Sequence, residues 1–257
     1  VDINIYSADK KISSFDGNLT IEIPYTGSEP VAVWYLNDEG ELEKLESTFA
    51  NGLVTFVLDH LSLYVIGEDK APAFINPFTD VNTGDWFYED VKYAYENALM
   101  IGTGTTSFSP NLETTRGMIV TILHRLEGSP NVSGANIFAD VAGGKWYSNA
   151  VKWAAENRIV AGYGNGKFGP EDSITREQMA VILMNYAKLK GYDVSAKTNL
   201  EKFTDSSEVS DWATNALAWA NAKGLINGIS SEILAPQGLA TRAQVAAILH
   251  RFIERFK

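Results

Sequence analysis

Residues 162–177 read GYGNGKFGPEDSITRE, and the markers of this stretch occur three times in the chain. Each copy has 16 residues from Trp to Gly, 8 from Gly to Pro and 6 from Pro to Arg. The markers are Trp86, Gly102, Pro110 and Arg116, then Trp146, Gly162, Pro170 and Arg176, then Trp212, Gly228, Pro236 and Arg242. Such agreement is improbable by chance, so residues 78–128, 138–190 and 203–257 form an internal repeat.

Each repeat contains two segments with the apolar spacing of an amphipathic helix. In the second repeat, one apolar stripe runs from Trp146 to Ala155 and the other from Met179 to Tyr186. One pair of amphipathic helices cannot bury both stripes by itself. We therefore expect the three repeats to pack around a pseudo-threefold centre as one mainly helical domain.

Ahead of the repeats, apolar residues alternate with polar ones, as in strands with one buried face. The alternating positions are Ile3 and Ile5, Leu19, Ile21 and Ile23, Val31 and Val33, Val54, Phe56 and Leu58, and Leu63 and Val65. Turn sequences at 37–40 and 51–52 separate these runs. We predict a small antiparallel β domain over 1–67, a proline-containing linker over 68–77, and an α+β multidomain chain.

Composition narrows the function classes. The net charge is −11, with 13 acidic and 4 basic residues in 1–70 and 19 acidic and 17 basic residues beyond. This balance lacks the broad basic surface that nucleic-acid binding requires. Cysteine is absent, which excludes disulfides and thiolate metal sites. No apolar run reaches the roughly 20 residues of a membrane span, so we expect a soluble piece of a longer protein without membrane insertion.

The second helix of each repeat begins with a Thr-Arg pair. Thr115, Thr175 and Thr241 are predicted N-caps, and Gln178 and Gln244 complete capping boxes that Met118 leaves half-made. Capping does not explain an arginine at the first helical position, where the helix dipole disfavours a cation by ~0.3–1 kcal/mol.

Two interpretations of these arginines stay open. Arg116, Arg176 and Arg242 could join free helix N–H groups in binding a carboxylate or phosphate. They could instead pair with acidic residues to hold the repeats together, and the candidates are Asp80, Asp140 and Asp205.

The tryptophans and glycines are ambiguous in the same way. Trp86, Trp146 and Trp212 could present a ring to a sugar, although core packing is favoured on sequence grounds. Glycines after the first helix could let backbone approach a ligand or could simply end the helix. They are Gly102, Gly162, Gly164 and Gly228.

The stretches at 138–141, 146–147, 162–170 and 174–177 resemble the S-layer homology family, and the resemblance covers about residues 74–257. It implies a three-pronged spindle of three repeats that binds pyruvylated secondary cell-wall polysaccharide at the surface of Gram-positive bacteria, in the cell wall or S-layer. It also implies that the three arginines recognise the pyruvyl carboxylate. Arg176 with the 162–166 loop, Asp140 and Trp146 is the first candidate site.

The chain departs from the family's Thr-Arg-Ala-Glu motif in every repeat, and Gln178 and Gln244 can preserve capping. Met118 puts the first site in doubt, and the third repeat has Ser230 and Leu234 where the second has Gly164 and Phe168. The groove of the third repeat is therefore expected to be altered or empty. The first 66 residues resemble short β domains that precede such repeats in surface proteins, which implies a spacer.

Rival functions find little support in the motifs. His60, His124 and His250 are dispersed, and no hydrolase, zinc-protease or phosphate-loop motif occurs. A glycoside hydrolase using Glu177 or Asp172 and a structural protein-interaction module are the alternatives. We expect a non-catalytic module without metal or cofactor that is monomeric as this fragment.

Overall fold

The computed structural model describes residues 5–7, 10–12, 16–37, 39–69 and 74–256. It divides the chain into two units, Val1–Phe74 and Ile75–Lys257. The division falls inside the segment 68–77, where the linker is predicted. Ile3 lies outside the described residues, so the first predicted alternation is seen only through the strand that contains Ile5.

The first unit is built of antiparallel strands, as predicted. They are β1 (Ile5–Ser7), β2 (Lys10–Ile12), β3 (Leu19–Pro24), β4 (Val31–Leu36), β5 (Leu42–Leu45), β6 (Ser47–Ala50), β7 (Leu53–Leu58) and β8 (Tyr64–Glu68). Two three-stranded sheets, ordered β3–β7–β6 and β5–β4–β8, accompany the β1–β2 hairpin. Asn51 and Gly52 form the β6–β7 turn with positive φ at both residues, which is the hairpin geometry their sequence favours.

The core of this unit confirms most of the alternation and corrects one strand. Val54, Phe56 and Leu58 of β7 are buried, as predicted. In the last strand the predicted phase is wrong, because Leu63 and Val65 are 46% and 39% exposed while Tyr64 is fully buried. The Tyr64 ring packs on Phe56, and its hydroxyl donates to the carbonyl of His60 at 2.7 Å. Because the Tyr64 ring fills the core and its hydroxyl has a hydrogen-bond partner, Tyr64 and not its two neighbours faces inward.

The second unit contains six α-helices within its described residues. They are α1 (Tyr88–Glu96), α2 (Arg116–Leu126), α3 (Ser148–Glu156), α4 (Arg176–Leu189), α5 (Thr214–Ala222) and α6 (Arg242–Phe256). Short 3₁₀ helices occur at Leu200–Lys202 and Ser206–Glu208. Each repeat is thus a helix, a loop and a second helix, as the periodicity indicates.

The second helix of each repeat packs on the first helix of the next, and the arrangement closes on itself. α2 packs on α3, α4 on α5, and α6 on α1. At the centre, the N–H of Thr114 donates to Ala240, that of Ala240 to Ile174, and that of Ile174 to Thr114, each to the carbonyl oxygen at 2.9 Å. One continuous apolar core runs through all three repeats. The predicted pseudo-threefold packing is confirmed.

Candidate functional site

Three grooves with equivalent linings lie between the repeats. Groove A, of about 540 Å³, combines Arg116, residues 159–164, α4 and Trp212. Groove B, of about 370 Å³, combines Arg176, residues 225–229, α6 and Trp86. Groove C, of about 380 Å³, combines Arg242, residues 99–103, α2 and Trp146. Every groove therefore takes its arginine from one repeat, its loop and helix from the next, and its tryptophan from the third.

Each groove arginine crosses into the next repeat and holds its loop. The Nε of Arg116 donates to the carbonyl of Phe168 at 2.9 Å, that of Arg176 to Leu234 at 3.0 Å, and that of Arg242 to Phe108 at 2.7 Å. Arg242 adds a bond from Nη2 to the carbonyl of Ile101 at 2.6 Å, and Arg176 an equivalent bond to Asn227.

The three arginines are buried at the floor of their grooves, with 5–7% of their surface exposed. Burial lowers the pKa of each guanidinium, although an arginine remains charged at any physiological pH. Carbonyl bonds leave that positive charge without a full counter-charge, which is the condition an anionic ligand would satisfy.

The helix N-termini do not form the anion receptor that the sequence suggests. The N–H groups of Arg116 and Gly117 donate to the carbonyls of Asp172 and Pro170, each at 2.9 Å, and α4 and α6 bond the following repeat in the same way. The capping threonine takes the third N–H, as in the 3.3 Å bond from Met118 to Thr115. The idea of free N–H groups is wrong because the neighbouring repeat occupies them.

The predicted caps are present. Thr175 and Gln178 form a complete capping box. Thr241 and Gln244 exchange equivalent bonds at 3.4 and 3.2 Å. Met118 supplies only the backbone half in the first repeat, as expected from its side chain.

The aspartates hold the same loops from the other side. Asp140 accepts the N–H groups of Phe168 and Gly169 at 2.8 Å each, and Asp80 and Asp205 bind equivalent pairs in their own repeats. Within the described residues no ion pair joins these aspartates to the groove arginines, so the second interpretation, direct pairing of arginine with aspartate, is wrong. Arginine and aspartate instead bind the carbonyl and the N–H of one loop residue.

We expect Asp140 to make the fold sensitive to acid. Burial opposes its ionisation, but the two N–H bonds outweigh burial and hold the pKa of Asp140 below its usual value, and Asp205 behaves alike. A lowered folded-state pKa gives stability that is present above the unfolded pKa of about 3.9 and is lost as pH falls through the folded value. The melting temperature should therefore fall with pH below about 4.

Asp140→Asn tests this assignment. We expect it to cost about 1–3 kcal/mol at pH 7, because one N–H loses its acceptor, and to reduce the acid-dependent loss. Thermal melts followed by helical circular dichroism from pH 7 to pH 3 provide the measurement. Parallel curves for variant and parent would show that Asp140 does not carry the effect.

The groove tryptophans are exposed, so the preference for core packing is wrong. Trp86, Trp146 and Trp212 are 64%, 55% and 59% exposed, whereas Trp153 and Trp219 are the buried indoles. Trp146 precedes the first residue of α3 and is therefore not part of its apolar stripe. Large exposed apolar side chains that line grooves indicate a binding surface.

Three of the loop glycines are needed because the backbone of their own loop and a core ring leave no space for a side chain. A Cβ on Gly162 would lie 2.6 Å from the Phe138 ring and 2.5 Å from the carbonyl oxygen of Lys167, and Gly102 and Gly228 are equally crowded. Gly164 has open space around it and positive φ. All four glycines line grooves.

The predicted grouping of one complete site is wrong. Arg176 lies in groove B, Gly162 and Gly164 line groove A, and Trp146 lines groove C, because each arginine and each tryptophan crosses into a neighbouring repeat. Gln178, Val181 and Asn185 of α4 also line groove A and were missed. Their three- and four-residue spacing after the N-cap is a signal that sequence reasoning could have used.

Glu177 and two of the histidines that were considered as catalytic or metal-binding residues make hydrogen bonds within the fold. Glu177 is 2% exposed and accepts bonds from the N–H and hydroxyl of Ser210 and from Gln237 at 2.8–3.0 Å, which gives it a structural role. His124 bonds the carbonyl of Pro130 at 2.9 Å, and His250 bonds Asp90 at 2.8 Å. Across the described part of the chain, no cluster of metal ligands is found, and no helix has the length and apolarity for a membrane span.

The fold and its grooves define a class, a closed ring of three helix–loop–helix repeats with a groove at each junction. The S-layer homology domain model matches residues 77–117, 137–180 and 202–246, and the chain belongs to that family. The resemblance inferred from sequence is confirmed.

Curated relatives share these repeats. Amylopullulanase of Thermoanaerobacterium thermosulfurigenes is 32% identical over 96% of this chain and 14% of that protein. The cellulosome-anchoring protein of Acetivibrio thermocellus is 30% identical over 58% of this chain and 34% of its own length. The surface-layer 125 kDa protein of Lysinibacillus sphaericus is 29% identical over 71% of the chain and 15% of that protein. The chain thus spans 14–34% of the length of these relatives, and the anchoring and surface-layer names of the last two agree with the predicted location.

Proposed function

We propose that this chain is a non-catalytic module that anchors a surface protein non-covalently to the Gram-positive cell wall. It does so by binding an anionic, pyruvylated secondary cell-wall polysaccharide in grooves A, B and C. The observation that carries the proposal is the pairing, in each groove, of an exposed tryptophan with a buried arginine. The relatives named as cellulosome-anchoring and surface-layer proteins support the anchoring role.

The groove chemistry suits a charged sugar. An indole offers an apolar face to the C–H groups of a sugar ring, and a guanidinium offers a fork to a carboxylate. Groove volumes of about 370–540 Å³ fall within the range of small-ligand sites. Three such grooves on one module would let a polymer bind at several points, which multiplies the affinity.

The tryptophans give the sharper test, because substituting the arginines would also release the loops they hold. We expect Trp86→Ala, Trp146→Ala and Trp212→Ala together to weaken polysaccharide binding at least tenfold, roughly the effect of losing interface anchors. The melting temperature should change little because the three rings are more than half exposed. Calorimetry with purified polysaccharide, before and after removal of the pyruvyl ketal, measures both the ring and the charge dependence.

Ile137→Ala is the matched control, since Ile137 is 72% exposed and lines none of the three grooves. Binding that survives loss of the tryptophans and of the ketal would contradict the proposal. It would favour a protein-interaction module instead, an alternative suggested by the exposed Ile101 and Ile229 beside the groove tryptophans.

A further inference from the structure

The three grooves share their plan but differ in charge. On each second helix, the residue nine positions after the helical arginine lines the groove formed by that helix. This residue is Asn185 in groove A, Arg251 in groove B and Arg125 in groove C. Groove B therefore contains two guanidinium groups, Arg176 and Arg251, where groove A contains Arg116 alone among its lining residues.

Asn185 and Arg251 occupy the same place in the framework. Asn185 donates from Nδ2 to the carbonyl of Ile159 at 3.2 Å, and Arg251 donates from Nη1 to the carbonyl of Leu225 at 3.4 Å. Ile159 and Leu225 are equivalent residues of their repeats. The two grooves thus differ here by one side chain in a common backbone setting, and the second charge of groove B is an addition to that setting.

The charge of Arg116 is more compensated than that of Arg176. The Arg116 guanidinium lies 4.6 Å from the centres of the Tyr163 and Phe168 rings, and both distances are within the range of a cation–π contact. Burial lowers the pKa of Arg116, and nearby Tyr163, Asp172 and Asp140 act to raise it.

In groove B the corresponding ring positions are the aliphatic Ile229 and Leu234. Burial lowers the pKa of Arg176, Asp205 acts to raise it, and the charge of Arg251 lowers it further. Repulsion between two guanidinium groups is relieved when a ligand brings negative charge between them.

We propose that groove B is a stronger anion site than groove A and accepts a sugar substituent with two negative charges, such as a phosphate monoester, whereas groove A accepts a single carboxylate. The inference rests on the proposed function of the grooves as carbohydrate sites. The third repeat supplies the loop and helix of groove B, and its groove was expected to be altered or empty; the proposal makes it altered in charge and not empty. Arg125 of groove C also borders a second cavity beside Asn97, so the proposal compares grooves A and B.

Each groove has its own spectroscopic reporter. The indole N–H resonances of Trp86 and Trp212 report grooves B and A in a ¹⁵N-labelled chain. Glucose 6-phosphate and glucuronate serve as probes, since at pH 8 they are hexoses with two charges and one. We expect Trp86 to report roughly tenfold tighter binding of the phosphate than of the uronate, the scale of one added charge-assisted hydrogen bond, and Trp212 to report less than a twofold difference.

Exchanging the two side chains completes the test. Arg251→Asn should remove the phosphate preference at Trp86 and leave the Trp212 titration unchanged, which also verifies the fold. Asn185→Arg should create the preference at Trp212. Equal preferences in the two grooves, variants that leave the preference unchanged, or the absence of any indole shift would each overturn the inference. Binding of the wall polysaccharide by the unmodified chain tests the proposed function separately from the difference between the two grooves.

Discussion

A chain lacking residues 203–257 is expected to lose the helical fold of the remaining repeats, rather than one groove. Without α6, the apolar face of α1 loses its partner, including the His250 ring stacked on Tyr93 at 3.9 Å. The carbonyl of Phe108 loses Arg242, and the central ring of hydrogen bonds opens. We expect the loss of this helix interface and of these hydrogen bonds to exceed the 5–15 kcal/mol by which a domain is typically stable.

Circular dichroism at 222 nm and thermal melting test this expectation, because the α-helices of the described chain lie in the second unit. The control is a permuted form of the second unit in the order repeats two, three and one, with a long flexible linker joining residue 256 to residue 75. It keeps every contact between repeats and should melt cooperatively. A two-repeat chain that also melts cooperatively would show that ring closure is not required for folding.

Gly162→Ala is expected to cost about 3 kcal/mol or more in the free energy of unfolding. Its φ of +68° is strained for any residue with a Cβ, at roughly 1–2 kcal/mol. The new methyl would also lie 2.6 Å from the Phe138 ring, which is packed in the core 5.5 Å from Phe168. Because this ring cannot move without disturbing the core, overpacking adds a further 1–3 kcal/mol.

Gly164→Ala is the matched control for the backbone contribution. Gly164 has φ of +80° and nothing within 4 Å of an added Cβ, so only the conformational cost of about 1–2 kcal/mol is expected. Chemical denaturation of both variants, followed at 222 nm, gives the difference. Equal costs at the two positions would mean that the loop relaxes around the methyl and that the close approach to Phe138 carries no energy.

Much of the fold could be predicted because its signals are local. The capping threonines fix where α2 and α4 begin, and the apolar period identifies β3 and β7. The phase of β8 could not be predicted, since Leu63, Tyr64 and Val65 are all apolar and offer two alternatives. Tyr64 lies in the core because its ring packs against Phe56, and Phe56 belongs to a different strand, β7.

The site residues were easier to predict than their partners. The repeat spacing singled out the arginines, tryptophans and glycines that line the grooves, because equivalent positions recur regardless of how the repeats pack. Which arginine contacts which loop depends on the order in which the three repeats close into a ring. The hydrogen bond from Arg116 to the carbonyl of Phe168, for example, joins residues that are 52 positions apart in the sequence. The same ring order decides that the helix N–H groups are already occupied and that Trp146 remains exposed.

The division of each groove among three repeats constrains how such a chain can diverge. A substitution in one repeat alters the arginine of one groove, the loop or helix of a second or the indole of the third, so no repeat can specialise for a ligand of its own. Exchange of a whole repeat between related chains would disturb all three grooves at once, in three different ways. Adapting all three grooves to a new wall polymer therefore requires changes in all three repeats, whereas a single-residue change such as asparagine to arginine at position 185 tunes one groove alone.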